Sequence, residues 1–378
     1  LWYTQWDQAR HGGPSKALLT AADLMQRAGI NAYQLEAGVI WLVALNKQGV
    51  LGPGKQIETD LPFDRVGEAD FAERLIQKIL NQEDIGAQLS QGLILAAKEW
   101  GRLDDLRTGI LPLQEWGYPQ HYDARTEVEW GYGSLFGDRD INEHDFNFVV
   151  YWSPTIWTLY GMPPFVSAEE LAQIISDKCA PYNDPLMADY SDEGIYSEHM
   201  ARTVAWHRHY TRFYKQSLGY CDWAYADFVN PYSEDKRGLT GLAEPRFYND
   251  VTGEALKFAD GIELGRKVWN LDRAIWMLQG RTPEMETFAD YVFDQPAQPG
   301  YTTYEIPYVM PVHENGTWTY KNVAGRRLDR EKFVQFKQTF FELEGWDPKT
   351  GCPTRQTLTD LGLSQVADAL AAKGLLPS

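Results

Sequence analysis

Gln26-Arg27-Ala28-Gly29-Ile30-Asn31 and, far along the chain, Gln216-Ser217-Leu218-Gly219-Tyr220-Cys221 are two versions of one phrase. Each closes a helical pattern at a glycine, the residue that best accepts the left-handed conformation of a helix C-terminus. Each then offers a polar or sulfur group. Two such ends facing one another would cradle a large, pseudo-symmetric cofactor. A single cysteine cannot hold a metal cluster, so the other ligands of such a site must lie elsewhere.

The helical reading extends outward from these phrases. Thr20, with Asp23 three residues on, predicts an N-cap for a helix over 21–28 that stops at Gly29. Leu35, Val39, Leu42 and Val43 predict a second helix over 34–47. Further helices are expected at 68–80, 84–100, 168–178, 196–218, 263–279, 285–293, 329–344 and 364–373. From 109 to about 150 the periodicity breaks into glycine, aromatic and charged residues, and a long irregular stretch is more often functional than idle. The segment 295–326 reads as a small hairpin or an extended arm. No alternation of strand and helix supports a parallel sheet. The fold class is therefore mainly α. Two helical domains are expected, 1–150 with an irregular cofactor-facing loop region and 151–378 carrying Cys221.

Composition narrows the function. The 378 residues include 14 Trp, 21 Tyr and 16 Phe and carry a formal net charge of −18. That balance excludes a nucleic-acid partner, which needs a basic footprint. No apolar run is long enough to span a membrane. Cys179, Cys221 and Cys352 form no close pair, which fits a reducing, cytoplasmic setting and not a disulfide framework. Leu1 is neither a start methionine nor the opening of a signal peptide, so the chain reads as a fragment or a processed product.

Other blocks carry a resemblance. Gly265-Arg266-Lys267-Val268-Trp269-Asn270-Leu271-Asp272-Arg273 with Gly280-Arg281-Thr282 resembles the tungsten aldehyde:ferredoxin oxidoreductase family. So does Leu343-Glu344-Gly345-Trp346-Asp347-Pro348-Lys349-Thr350-Gly351-Cys352-Pro353-Thr354-Arg355 with Leu361-Gly362-Leu363. The likeness covers essentially the whole chain, and Trp116 to Arg125 is most similar to the tungsten subunit of class II benzoyl-CoA reductase. It implies the two helical C-terminal domains of that fold, without the N-terminal β-rich domain. It implies a tungsten bis-pyranopterin (molybdopterin), Mg bridging the pterin phosphates, and a [4Fe–4S] cluster with Cys221 as its isolated ligand. It also implies a CoA-ester or aldehyde substrate and an iron–sulfur electron-transfer subunit or ferredoxin as partner, in a larger complex of an anaerobe.

On that resemblance Gln26, Gly29, Asn31, Gln216 and Gly219 are pterin contacts. Gln26 and Gln216 stand where the family has aspartates, and amides still donate and accept hydrogen bonds. Tyr122, Asp123 and Arg125 are expected at the cofactor or substrate, with Arg125 offering its fork to a phosphate; a loop lock is the plainer reading. Either Glu143 or His144 is expected to deliver protons, with His121 as a further catalytic candidate. His199, His207 and His209 read as structural, because helix positions two apart do not share a face. A scaffold that lost its cofactor is the reading from another class.

Overall fold

The computed structural model describes residues 2–113, 123–137, 153–216, 228–230, 232–238, 243–297 and 308–377. They are mainly helical, with a single two-stranded sheet among them. They divide into two compact units. One comprises the described residues up to Leu113 with Phe288–Gln295; the other comprises the rest, from Asp123 onward. Residues 123–137, which a boundary at 150 assigns to the first domain, thus pack with the second unit.

The first unit is built on α1 (Thr4–His11), α2 (Lys16–Ala28), α3 (Ala32–Lys47) and α4 (Ala69–Asn81). Helix α2 begins ahead of the expected start. Ser15 caps it, its Oγ accepting from the Ala17 N–H at 3.0 Å while its own N–H donates to Asp7 at 2.9 Å. Thr20 lies inside the helix, because a serine already anchored by a buried carboxylate outcompetes it as a cap. Helix α4 buries Phe71, Ala72, Leu75 and Ile76 along one face, the stripe its periodicity predicts. The expected helix 84–100 is two short ones, Gly86–Leu89 and Leu93–Glu99, interrupted at Gly92. Buried Trp41 donates to Asp105 at 2.8 Å, and Arg102 neutralises the same carboxylate at 2.6 Å.

The second unit contains α5 (Val128–Phe136), α6 (Ala168–Lys178), α7 (Glu198–Tyr210), α8 (Phe258–Leu278), α9 (Arg330–Glu344) and α10 (Ser364–Ala372). Helix α5 lies inside the stretch expected to be irregular. Gly131 and Gly133 blur its periodicity, yet they serve close approach: a methyl on Gly131 would overlap Ala124. Its rings pack on α9, Phe136 stacked on Phe340 at 4.5 Å and Tyr132 tilted against Phe336 at 4.4 Å. Helix α7 is buried on every face from Thr203 to Tyr210 and runs into a π-helical turn over Thr211–Lys215. The expected single helix 196–218 therefore changes its winding before it ends.

Of the two expectations for 295–326, the hairpin is correct. Strands β1 (Val309–Glu314) and β2 (Thr317–Asn322) pair antiparallel, Val309 opposite Asn322. Asn315 and Gly316 turn between them, both with positive φ, the conformation a tight hairpin turn requires. Residues 285–293 do not form one helix; a 3₁₀ turn (Pro283–Met285) precedes the short helix Asp290–Asp294. Cys352 is packed among Leu358, Ala367, Leu370 and Met277 at the C-terminal end of the unit.

Candidate functional site

At the first phrase, the Gly29 N–H donates to the Gln26 carbonyl at 3.2 Å and the Ile30 N–H to the Met25 carbonyl at 3.3 Å. This pair of bonds closes a helix whose terminal glycine is left-handed, here at φ 66°. Asn31 then caps α3, its Oδ1 accepting from the N–H groups of Tyr33 and Gln34 at 2.9 and 3.0 Å. One residue thus serves as both linker and cap. Gln26, Gly29 and Asn31 are exposed. Ile30, Asn31 and Gln34 line one side of a hollow of about 300 Å³ whose other walls are Leu35, Leu75 and Leu93.

Asp123 and Arg125 are both buried and grip each other. The Arg125 Nε and Nη2 donate to the two Asp123 oxygens at 2.8 and 2.6 Å, and the Arg125 N–H adds a third bond at 2.9 Å. The Asp123 carbonyl accepts from Thr126 and Glu127. These contacts form a lock that starts α5. Gln216 is exposed at the end of the π turn. His121, Tyr122, Glu143, His144, Gly219 and Cys221 lie outside the described residues.

Sequence reasoning misses Glu129. This carboxyl is fully buried on α5. Among the described residues, its oxygens find no more than a loose hydrogen bond, to the hydroxyl of the adjacent Tyr190. The buried Ser134 hydroxyl finds no partner among those residues. Native structures rarely leave buried polar atoms this way, and the exceptions call for an explanation. Burial pushes the Glu129 carboxyl up to about 7, against smaller lowering effects from the Tyr190 hydroxyl and the Arg208 charge. The same burial holds the Tyr190 phenol well above its ordinary value. Near pH 7 the acid is therefore about half-protonated, beside a phenol that stays neutral. Glu36 on α3 is likewise lifted to about 7 by burial, but it is only half-buried. A signal is present in the sequence: Glu127-Val128-Glu129-Trp130-Gly131-Tyr132-Gly133 sets acids among large apolar and small residues, the composition of a close-packed interior.

Other buried polar groups of this unit are paired between elements. His209 meets Glu344 of α9 at 3.0 Å, so its partner comes from another helix and not from three or four residues away on its own. Lys178 and Tyr210 converge on buried Glu244 at 2.6 and 2.7 Å. Arg273 and Arg281 share Glu286, with Arg281 at 2.9 Å. Arg281 also donates to the carbonyls of Leu135 and Gly137 at the C-terminal end of α5. The acid-bearing helix is thus held at both ends.

Residues 14–363 match the family model described as aldehyde ferredoxin oxidoreductase, domains 2 and 3. The chain belongs to the aldehyde ferredoxin oxidoreductase family. It is similar in fold to a solved structure described as the active site complex BamBC of benzoyl coenzyme A reductase in complex with 1,5-dienoyl-CoA. The TM-score is 0.53 at 16% identity, over 92% of this chain. The chain spans 46% of that structure's length. Family membership accounts for the helical architecture: the matched region is domains 2 and 3, the two helical domains the sequence resemblance implies. It also makes an oxidoreductase the expected class.

Proposed function

We propose that this chain is the helical part of a tungsten bis-pyranopterin and iron–sulfur oxidoreductase that reduces the aromatic ring of benzoyl-CoA to a cyclic dienoyl-CoA. Family membership and the fold shared with a benzoyl coenzyme A reductase complex support this reading. The observation that carries the reaction type is Glu129, a fully buried carboxyl that keeps its proton up to about pH 7 and is half-protonated there. Adding electrons to a ring requires protons, and a site that excludes water must store them on side chains.

The exposed amides of Gln26 and Asn31 suit the hydrogen-bonding edge of a pterin. Asn31 Oδ1 is occupied as a cap, which leaves its amide nitrogen as the donor. When bound, the pterin-held metal and the cluster would supply electrons; Cys221 would ligate the cluster, and Mg would accompany the pterin. The protein's own part is to hold a proton at the Glu129 carboxyl, keep Tyr190 neutral beside it, and keep water away with the rings of α5 and α9. Glu143, His144 and His121 remain proposed as donors at the substrate, Gly29, Gln216 and Gly219 as pterin contacts, and Tyr122, Asp123 and Arg125 as supports of the cofactor loop. The reading places the protein in the cytoplasm of an anaerobe, in a complex with an iron–sulfur electron-transfer subunit or ferredoxin.

The family match also favours a second reading, oxidation of an aldehyde to a carboxylic acid. The two differ in the state of Glu129 they require. Reduction uses the protonated acid, so its rate falls as the pH rises through about 7; oxidation uses the carboxylate as a base, so its rate rises over the same range. The test is an anaerobic assay of reduced-dye-dependent benzoyl-CoA conversion against benzaldehyde oxidation, with tungsten and molybdenum analysis. Benzaldehyde turnover alone overturns ring reduction. Absence of both metals from the purified complex would favour a scaffold.

A further inference from the structure

Helix α8 is apolar on two opposite faces. The inner face buries Gly265, Trp269, Ala274 and Met277, and Gly265 lets α7 come close. On the other side every exposed residue from 264 to 278 is aliphatic: Leu264, Val268, Leu271, Ile275 and Leu278. Each is between 37% and 44% exposed. Scattered exposed aliphatics are ordinary, but five sharing one face of one helix are not. Their spacing alternates four and three residues, the a and d seam of a coiled coil. The stripe runs over two heptads, about 21 Å of helix.

The residue types say what covers this seam. Leucine holds every d position, Leu264, Leu271 and Leu278, and β-branched Val268 and Ile275 hold the a positions. That combination favours two parallel strands. The flanks agree with it. Lys267 falls at g and Asp272 at e, and in a parallel pair the g residue of one helix faces the following e residue of the other. Two copies of α8 would therefore set lysine against aspartate along both edges of the seam. Arg212 holds Asp272 at 2.9 Å, and the Asp272 side chain is still 30% exposed.

We propose that α8 is a self-association surface, through which two copies of this chain pair as a parallel two-stranded zipper with Leu271 against Leu271 at its centre. The net charge of −18 opposes the approach of two copies. Salt screens that repulsion beyond about 8 Å at physiological ionic strength, and the seam itself carries no charge. Two heptads make a small interface, so the pairing is reversible on dilution.

The experiment is sedimentation velocity over a concentration series, on the protein as purified under anaerobic conditions. The mass is expected to double as concentration rises. Leu271→Glu sets two carboxylates face to face and should raise the dissociation constant at least about tenfold, with thermal unfolding unchanged because the position is exposed. Lys267→Glu should weaken the pair by less. A two-fold axis along parallel helices puts each seam residue opposite itself. Mild oxidation of Leu271→Cys should therefore link two copies, whereas Glu263→Cys, off the seam, should not. A constant mass at every concentration overturns the proposal, as does a dimer indifferent to Leu271→Glu. Dissociation by Leu271→Glu without cross-linking of Leu271→Cys overturns the parallel pairing. If Leu271→Glu instead releases a different subunit from the complex, the seam belongs to that subunit and the proposal falls.

Discussion

Replacing Glu129 by Gln should make the folded protein more stable, and only at neutral and alkaline pH. Folding carries this carboxyl from an ordinary 4.5 up to about 7, so the folded protein binds the proton more tightly than the unfolded chain does. Below about pH 4.5 both states are protonated and the residue costs nothing. As the pH rises from 4.5 to 7 the unfolded chain ionises first and gains, and above 7 the full penalty is present. A lift of that size corresponds to about 3 kcal/mol. Glutamine keeps the shape and cannot ionise. The stability difference between variant and wild type should therefore grow by about 2–3 kcal/mol between roughly pH 5 and pH 8. Thermal unfolding of both proteins across that range would show the midpoints diverging by several degrees. Parallel curves would refute the reasoning, because they would mean that Glu129 ionises as easily in the folded protein as in the unfolded one.

Three further outcomes rest on the packing. Gly265→Ala would drive a methyl into the His209 carbonyl on α7; two buried helix backbones cannot separate cheaply, so denaturant unfolding should show a loss of about 3 kcal/mol. Glu286→Ala would leave buried Arg273 without its carboxylate, and the same measurement should give a loss of about 3–5 kcal/mol. Asn31→Ala removes the cap of α3 at a cost of about 1 kcal/mol, whereas Asn31→Asp preserves it. If pterin content, measured by fluorescence after oxidation, falls equally in both, the amide nitrogen is the contact; an unchanged content in both removes Asn31 from the cofactor site.

Much of the helical scaffold is legible without coordinates. Helices α4, α6 and α9 lie where apolar spacing and caps place them: Ser167 accepts from Glu170 and Asp329 from Lys332, both local signals. Some local signals have a rival. Thr20 has the chemistry of a cap, but Asp7 anchors Ser15, and that contact joins two helices. Asn31 reads as a ligand, yet the oxygen that suggests a pterin contact is held by its own helix. Arg125 is offered to a phosphate by its type and setting, while its Nε and Nη2 already donate to Asp123, two residues away in the chain. Glu129 escapes notice for a different reason. Its neighbours come from α7 and the Tyr190 loop, both distant in sequence, and no periodicity within α5 announces them. Gly133 likewise reads as a helix breaker until Arg208 is seen lying on it.

The widened turn at Thr211–Lys215 holds one residue more than ordinary α-helical winding would place there. Deleting a single residue from it would let the segment relax into regular winding. Gln216 would then swing by about 100° around the helix axis and retreat by about 1.5 Å. A length change of one residue here would redirect what position 216 presents, whereas a same-sized replacement of half-buried Phe213 would leave that aim intact.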